Sequence, residues 1–439
     1  MESPLVEGSA HRDCEAAVIL PVRDESSTLS ETLDALAGQV DLSGRLLNRE
    51  SFEVLLLLNN CTDNSAAVAW EWKRAHSGIS LHIAETEIEP DRAHAGTARR
   101  LLMDTAWRRL ARQTAGSGAI LSTDSDTQVA PDWIAQNLQA LTTGTDAVGG
   151  EIRLKRGHLD QLPSGARLAY LRDRKYQRLV AELEDLLDPQ PHDPWPRHLH
   201  HFGASLGCTH EAYARSGGMP PVRHLEDVAF VEALERSGAR LRHEPRAVVY
   251  TSARMNGRAE VGLSGQLRQW QEISERGERH VVPSAAWLRH RLETVRQMRV
   301  VCRLARIPEN MSYTREWRQR IAEAHARRTS ESGFLNEVGC EQLAAETFRG
   351  VRHEDICKVN GNLSWALGRS KGSPRSTWLH SRDSESVGPL FSAELRLLFP
   401  ASRGGSVHDG LHEDVSTPDG RSMHREPGRQ SGDSLAPAE

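Results

Sequence analysis

Residues 120–134 read ILSTDSDTQVAPDWI, and the order of residue types in this stretch indicates the fold. An apolar run ends in two aspartates, Asp124 and Asp126, and Pro131 then starts a helix. Two carboxylates this close repel each other, which raises a pKa unless a cation lies beside them. We therefore expect a strand end that binds a divalent cation, although the same aspartates are also compatible with simple capping of the loop before the helix.

The sequence before this stretch alternates between apolar runs and helical patterns. Residues 16–22 (AAVILPV) and 52–60 (FEVLLLLNN) are typical of strands buried on both faces, and each precedes a segment with helical spacing. A weaker strand near ISLHIAE and a helix over about residues 93–113 continue the pattern. This alternation predicts an α/β fold with a Rossmann-like, mostly parallel sheet flanked by helices. Such sheets bind ligands at the carboxyl ends of their strands.

Composition divides the chain into segments of different character. The expected segments are a disordered N-terminus (1–14), the α/β domain (15–260), a mainly helical, arginine-rich C-terminal region (261–368) and a low-complexity, largely disordered tail (369–439). Within the α/β domain, residues 188–202 (DPQPHDPWPRHLHHF) contain four prolines, which exclude regular structure and indicate a lid or an acceptor loop.

Charge and cysteine usage restrict the possible partners and location. The chain has 55 Lys plus Arg and 60 Asp plus Glu, so its net charge of -5 indicates no nucleic-acid partner. The aliphatic run Val54–Leu58 is too short to span a bilayer, and the first residues lack an export signal. Six cysteines without a C-x-x-C pair indicate reduced thiols. We expect a cytoplasmic protein, and the segment LRHRLETVRQMRVVCRLAR leaves peripheral membrane contact open.

Five short motifs in a fixed order carry a resemblance to a known family. They are VILPVRDE, VLLLLNNCTDNS, HAGTARR, ILSTDSDTQVAPDWI and HLEDVAFVEAL. Over roughly residues 14–260 the sequence resembles a family 2 glycosyltransferase of the GT-A fold, a nucleotide-diphospho-sugar transferase. The resemblance implies a hexosyltransferase-type reaction, in which a sugar moves from a nucleotide-diphospho-sugar donor to a hydroxyl acceptor that the sequence does not identify.

The resemblance also implies roles for the residues that match its motifs. Those expected to bind the nucleotide sugar are Pro21, Val22, Arg23, Glu25, Asn59, Arg99, Asp124 and Gly203. Asp124 and Asp126 would hold a divalent metal, Mn²⁺ or Mg²⁺, that bridges the diphosphate. Glu226 and Asp227 match the ED motif of inverting members, in which Asp227 would act as general base on the acceptor hydroxyl.

The sequence departs from the family pattern at two places. Asn59 stands where many relatives carry an aspartate that accepts the uracil imide hydrogen, so the identity of the base stays open. Tyr250, Thr251 and Ser252 stand near the position where relatives often carry a metal-binding histidine. A retaining outcome also stays open, because some members of this wider fold resemble the glucosyl-phosphoglycerate synthases in their first strand and D-x-D segments.

Three alternatives compete with this interpretation. DSDT also resembles the D-x-D-x-T loop of haloacid-dehalogenase-like phosphatases, but that loop normally opens its domain, and Gln128 stands where threonine or valine is expected. A non-catalytic GT-A-like protein retained for binding is the second alternative. A zinc site is the third, and its candidate ligands are His192, His198, His200 and His201, which lack a cysteine partner and a helical i, i+4 pair.

Overall fold

The structure is a computed structural model. It describes residues 5–112, 118–257, 262–308, 311–327 and 329–371. The tail expected to be disordered therefore lies outside the described residues from position 372 onward. All described residues belong to one compact unit.

The described strands and helices follow each other along the chain as the alternating pattern predicts. The strands are β1 (Ala16–Val22), β2 (Phe52–Asn59), β3 (Leu81–Thr86), β4 (Ala119–Ser122), β5 (Gln128–Val129), β6 (Ala147–Leu154), β7 (Leu206–Thr209), β8 (Leu241–Thr251), β9 (Val281–Pro283) and β10 (His353–Asp355). The helices are α1 (Leu29–Ala37), α2 (Ser65–Ala75), α3 (Ala95–Ala111), α4 (Trp133–Thr142), α5 (Arg156–Gln161), α6 (Ser164–Leu187), α7 (His210–Ser216), α8 (Glu226–Arg236), α9 (Leu263–Glu275), α10 (Ala285–Leu304), α11 (Arg315–Ala326), α12 (Glu331–Val338), α13 (Cys340–Thr347) and α14 (Ile356–Lys371).

The main sheet of the described residues has the order β3-β2-β1-β4-β7-β6-β8-β5. Parallel pairs join β1 to β2 and β4, β2 to β3, and β6 to β8. Strand β7 runs antiparallel to both β4 and β6, and β5 runs antiparallel to β8. The predicted α/β class with a mostly parallel sheet is confirmed, and the reversed strand β7, which the sequence pattern did not indicate, divides its two parallel parts.

The central strands are covered by helices on both faces, which explains their continuous apolar sequence. On one face Ile19 and Leu55 pack with Leu102 of α3 and Phe230 of α8. On the other face the neighbouring residues of the same strands pack with residues of α1, α2 and α4, including Trp133. Successive side chains of a strand point to opposite faces, so each strand contributes to both cores.

Helices α9–α14 form the helical C-terminal region, as expected, and they pack against the half of the chain that carries the sheet. Helix α6 contacts α9 and α14, and α12 contacts α8. Two apolar clusters stabilise the packing of this region. One includes Leu183, Leu288 and Val359, and the other includes Trp317 and Phe334.

Residues 5–14 differ from the disorder that we expected for the N-terminus. Ala10 and Cys14 are buried in the same cluster as α3, and the Leu5 amide donates to Thr105 Oγ1 at 3.3 Å. Apolar burial offsets the conformational entropy lost on ordering such a segment.

Among the described helices, none combines the length and the apolar character needed to cross a bilayer.

Candidate active site

Several sheet strands end at one edge, and the residues that follow these ends lie there together. Strands β1, β2 and β4 are parallel, so the segments after Val22, Asn59 and Ser122 lie at the same edge. Because β7 runs antiparallel to β4, with Leu206 opposite Ser122, the residues before β7 reach this edge too. The Ser122 hydroxyl donates to the Gly203 carbonyl at 2.8 Å, which fixes the two segments side by side.

Arg99 joins two of the acidic motifs. It lies on α3 with 6% of its surface exposed, and its guanidinium donates to Asp124 with one terminal nitrogen and to Glu226 with the other. Burial disfavours a charged guanidinium, but the charges of Asp124, Glu226 and Asp227 outweigh this effect and raise the Arg99 pKa. Its Nε is buried and has no hydrogen-bond partner among the described residues.

Asp227 lies at the start of α8 and faces the segment before β7. Its Oδ2 accepts a hydrogen bond from the Gly203 amide at 2.9 Å, and its Oδ1 accepts one from the Val228 amide at 2.9 Å. The preceding residue Leu225 adopts a left-handed conformation with φ 54°. A carboxylate in the first turn of a helix is also stabilised by the helix dipole.

A second arginine binds the other aspartate of the D-x-D motif. Arg254, which follows β8, pairs with Glu25 at 2.5 and 2.9 Å and with Asp126 at 3.1 Å. Burial, followed by the charge of Asp124, raises the Asp126 pKa to about 6, and Glu25 adds to this while Arg254 opposes it. The negative charge of the site is therefore only partly compensated by its arginines.

The residues expected at the nucleotide end lie at the ends of β1 and β2. Pro21 and Val22 are the last residues of β1, and the exposed Arg23 donates to the Ala93 carbonyl at 2.9 Å. Asn59 ends β2 and is 4% exposed, and its Oδ1 has no hydrogen-bond partner in the described parts of the chain. A buried acceptor without a hydrogen-bond partner is costly to the folded state.

Asp24 fixes the two loops that hold these residues. It adopts φ 50°, and its Oδ1 accepts hydrogen bonds from the amides of Thr62 at 2.6 Å and Asp63 at 3.1 Å. In return, Asp63 accepts a hydrogen bond from the Ser26 amide at 3.0 Å. The loops after β1 and β2 therefore support each other through hydrogen bonds.

The donor set at the D-x-D motif is compatible with a hard divalent cation. Asp124 and Asp126 supply two carboxylates, and Mg²⁺ commonly binds to one or two carboxylates together with substrate phosphates. Among the described residues, Asp124 and Asp126 do not form a group of three possible metal ligands with a third His, Cys, Asp or Glu. The three-residue group of possible metal ligands found there consists of the exposed residues His11, Asp13 and Glu50, away from this edge.

Histidines of the proline-rich loop form a network behind the site. The ring of His201 approaches His243 with a nitrogen–nitrogen distance of 3.4 Å, and His243 Nδ1 lies 2.8 Å from the buried Asp193 carboxylate. Burial lowers the pKa of His201 to about 4, an effect that His243 strengthens and the charge of Asp227 opposes. Burial also lowers the pKa of His200 to about 4.

The predicted site residues fall into three contacting groups. Arg99 connects Asp124 to Glu226, Gly203 binds Asp227, and Glu25 shares Arg254 with Asp126. Pro21, Val22, Arg23 and Asn59 lie at the same strand ends without a hydrogen bond to these groups among the contacts described above. Sequence analysis missed Arg254 and Asp24. The signal for Arg254 was its place just beyond the carboxyl end of β8.

Comparisons with solved structures find the following three among those similar to this chain. The mannosyltransferase PcManGT from Pyrobaculum calidifontis, in complex with GDP-Man and Mn²⁺, is 17% identical over 88% of this chain and 87% of its own, with a TM-score of 0.39. Staphylococcus aureus TarS 1-349 in complex with UDP is 11% identical over 82% of this chain and 92% of its own, with a TM-score of 0.40. The glucosyl-3-phosphoglycerate synthase from Mycobacterium tuberculosis is 19% identical over 62% of this chain and 83% of its own, with a TM-score of 0.33.

A comparison with curated proteins finds no match. Residues 17–192, however, match the family model described as Glycosyl transferase family 2. The match and the acidic site at the strand ends define the class of the protein, which is a glycosyltransferase. The matched range includes Arg99, Asp124 and Asp126 and ends before Gly203, Glu226 and Asp227.

Proposed function

We propose that this protein transfers a sugar from a nucleotide-diphospho-sugar to a hydroxyl acceptor, with a divalent metal and with inversion at the sugar carbon. The observation that carries this proposal is the bridge from Asp124 through Arg99 to Glu226. It brings the D-x-D motif next to the ED motif, although the two are a hundred residues apart in sequence. A donor diphosphate and an acceptor base would thus meet at one place.

The ends of β1 and β2 supply the nucleotide side of the proposed site. Pro21, Val22 and Arg23 would lie against the base and the ribose, and the unpartnered Oδ1 of Asn59 would accept a hydrogen bond from the base. Asn59 accepts through an amide oxygen, which suits an imide or amino hydrogen of a base. Arg99 would stabilise the donor phosphates through its positive charge, because its two terminal nitrogens are already bound to Asp124 and Glu226.

The diphosphate side of the site would include the metal. Asp124 and Asp126 would hold it, and when bound it would neutralise charge on the departing nucleoside diphosphate. Glu25 would contribute indirectly, since it holds Arg254 next to Asp126. Gly203 would also contribute indirectly, because the absence of a side chain lets the Arg99 guanidinium lie against its backbone.

Asp227 would remove the proton from the acceptor hydroxyl. Its carboxylate is oriented by the amides of Gly203 and Val228, each through one oxygen. Each carboxylate oxygen has two lone pairs, so both can still accept a further hydrogen bond. Glu226 is occupied by Arg99, which makes Asp227 the better candidate for the base. An attack by the activated hydroxyl from the face opposite the diphosphate would invert the configuration.

The proposal is tested by thermal shift of the purified protein with UDP, GDP, CDP, ADP and dTDP, each with and without Mn²⁺. We expect one nucleotide to raise the melting temperature in a metal-dependent manner, because a ligand that binds only the folded state stabilises it. Asp126→Ala should abolish the shift, and Asp132→Ala, which changes an aspartate at the start of α4 away from the bridge, should preserve it. The absence of any nucleotide-dependent shift in the wild-type protein would favour a non-catalytic relative.

A further inference from the structure

The guanidinium of Arg254 occupies a position between two carboxylates of the proposed donor site. Its Nη1 lies 2.9 Å from Glu25 Oε2, and its Nη2 lies 2.5 Å from Glu25 Oε1 and 3.1 Å from Asp126 Oδ2. The Glu25 side chain is 5% exposed, that of Asp126 14% and that of Arg254 33%. The arrangement is therefore a partly buried ion triad rather than a surface pair.

Arg254 and its two carboxylate partners each lie shortly after a strand of the main sheet. It lies three residues after the end of β8, while Glu25 follows β1 and Asp126 follows β4. The neighbouring Ala253 is 6% exposed, which anchors the backbone next to the arginine. The side chain extends from this anchor to Glu25 and Asp126.

The two arginines of the site have separate carboxylate partners. Arg99 binds Asp124 and Glu226, and Arg254 binds Glu25 and Asp126. A divalent cation that approaches the D-x-D motif therefore meets a guanidinium already on Asp126. Two cations repel each other at this range, and only one of them can gain the full attraction of the carboxylate.

We propose that Arg254 is an internal counter-cation that competes with the divalent metal for Asp126 in the free protein and pairs with the donor diphosphate when metal and donor bind together. This inference rests on the proposed function. A planar guanidinium that leaves a carboxylate finds an equivalent bidentate partner in a phosphate. Metal binding would then be weak without donor, and donor and metal would each strengthen binding of the other.

The test measures Mn²⁺ affinity by electron paramagnetic resonance of free Mn²⁺, without nucleotide, in wild-type protein and in Arg254→Gln. We expect Arg254→Gln to bind Mn²⁺ on the order of tenfold more tightly, because the competing charge is gone. With saturating Mn²⁺, the same variant should bind the nucleoside diphosphate identified by thermal shift about tenfold more weakly, because one phosphate contact is lost. Arg254→Lys keeps the charge and should leave Mn²⁺ affinity near that of the wild-type protein.

A matched control separates this effect from a general loss of charge. Arg299 lies in the helical C-terminal region and also bridges two carboxylates, Asp188 at 2.8 Å and Glu331 at 2.7 Å. Arg299→Gln should leave both Mn²⁺ and nucleotide affinity unchanged. Circular dichroism and the melting temperature of each variant verify that it is folded under the conditions of the titration.

The outcomes distinguish failure of the inference from failure of the proposed function. If Arg254→Gln binds Mn²⁺ no more tightly than the wild-type protein, while Asp126→Asn abolishes binding, the competition is refuted and the metal site stands. If Mn²⁺ binding is tighter but nucleotide affinity is unchanged, the diphosphate contact is refuted. If Asp126→Asn binds Mn²⁺ as the wild-type protein does, Asp126 is not a ligand, and both the metal site and the inference fail.

Discussion

The backbone of Gly203 lies directly against the guanidinium of Arg99. A β-carbon at position 203 would fall 2.7 Å from Arg99 Nε, far closer than such atoms approach in proteins. The guanidinium cannot simply move away, because Asp124 and Glu226 hold its two terminal nitrogens. The glycine is therefore required by the ion bridge that connects the two acidic motifs.

The first prediction concerns this contact. Gly203→Ala should displace Arg99, weaken binding of the donor nucleotide roughly tenfold and destabilise the protein by about 2 kcal/mol, because a buried ion bridge is distorted. Calorimetric titration with the nucleotide and urea unfolding measure the two effects. Gly157→Ala, at a helical position with open space around the added methyl group, is the control; it should leave nucleotide affinity unchanged and should not destabilise the protein. Equal nucleotide affinity in Gly203→Ala and wild-type protein would contradict the prediction.

The second prediction concerns the proposed base. Asp227→Asn should lower kcat by about 10² to 10⁴, the usual contribution of general base catalysis, and leave the nucleotide-induced thermal shift intact. The amide oxygen of asparagine can still accept the hydrogen bond from the Gly203 amide, and only the bond from the Val228 amide is lost, so we expect the variant to fold. Glu232→Gln, an exposed change on the same helix, provides the control for charge. Retention of full turnover in Asp227→Asn would assign the base elsewhere.

The third prediction separates binding from stability at Asn59. Asn59→Leu removes a buried oxygen that has no partner among the described residues, so the free energy of unfolding should stay the same or rise. Nucleotide affinity should nevertheless fall, by about tenfold, because the proposed hydrogen bond to the base is lost. Titration calorimetry and thermal melting report the two quantities independently. A variant that binds the nucleotide as tightly as the wild-type protein would show that Asn59 does not contact the base.

The fourth prediction concerns pH and the histidine network. The pKa values of His200 and His201 are lowered by burial to about 4, below the usual 6.5, so the unfolded chain takes up protons before the folded protein does. The contribution of these two histidines to the free energy of unfolding is complete above pH 6.5, and it is lost as the pH falls from 6.5 toward 4. Between pH 7 and pH 5 each ring should cost up to about 2 kcal/mol of the free energy of unfolding.

Urea unfolding at pH 7 and pH 5 tests this fourth prediction. His201→Gln should lose less stability between the two pH values than the wild-type protein, since a glutamine does not titrate. His353→Gln changes an exposed histidine and should follow the wild-type protein. An identical pH dependence in all three proteins would show that His201 does not contribute to this loss of stability.

Local patterns predicted most of the elements that surround the site. The apolar runs of β1 and β2 required burial on both faces, and the structure covers both with helices. The D-x-D motif was expected at a strand end and lies just after β4. These predictions succeeded because residue periodicity and strand ends depend on neighbours in sequence, which determine local backbone conformation and the direction of side chains.

The sequence by itself therefore determined the α/β alternation, the acidic motifs and their places at strand ends. Only the tertiary structure decided which residues meet there. Strand β7 reverses direction and carries Gly203 to Asp227, and Arg99 and Arg254 each reach carboxylates from distant segments. The physical reason is that ion pairing selects partners by distance in space, whereas spacing along the chain specifies only the local geometry that places each partner on its own element.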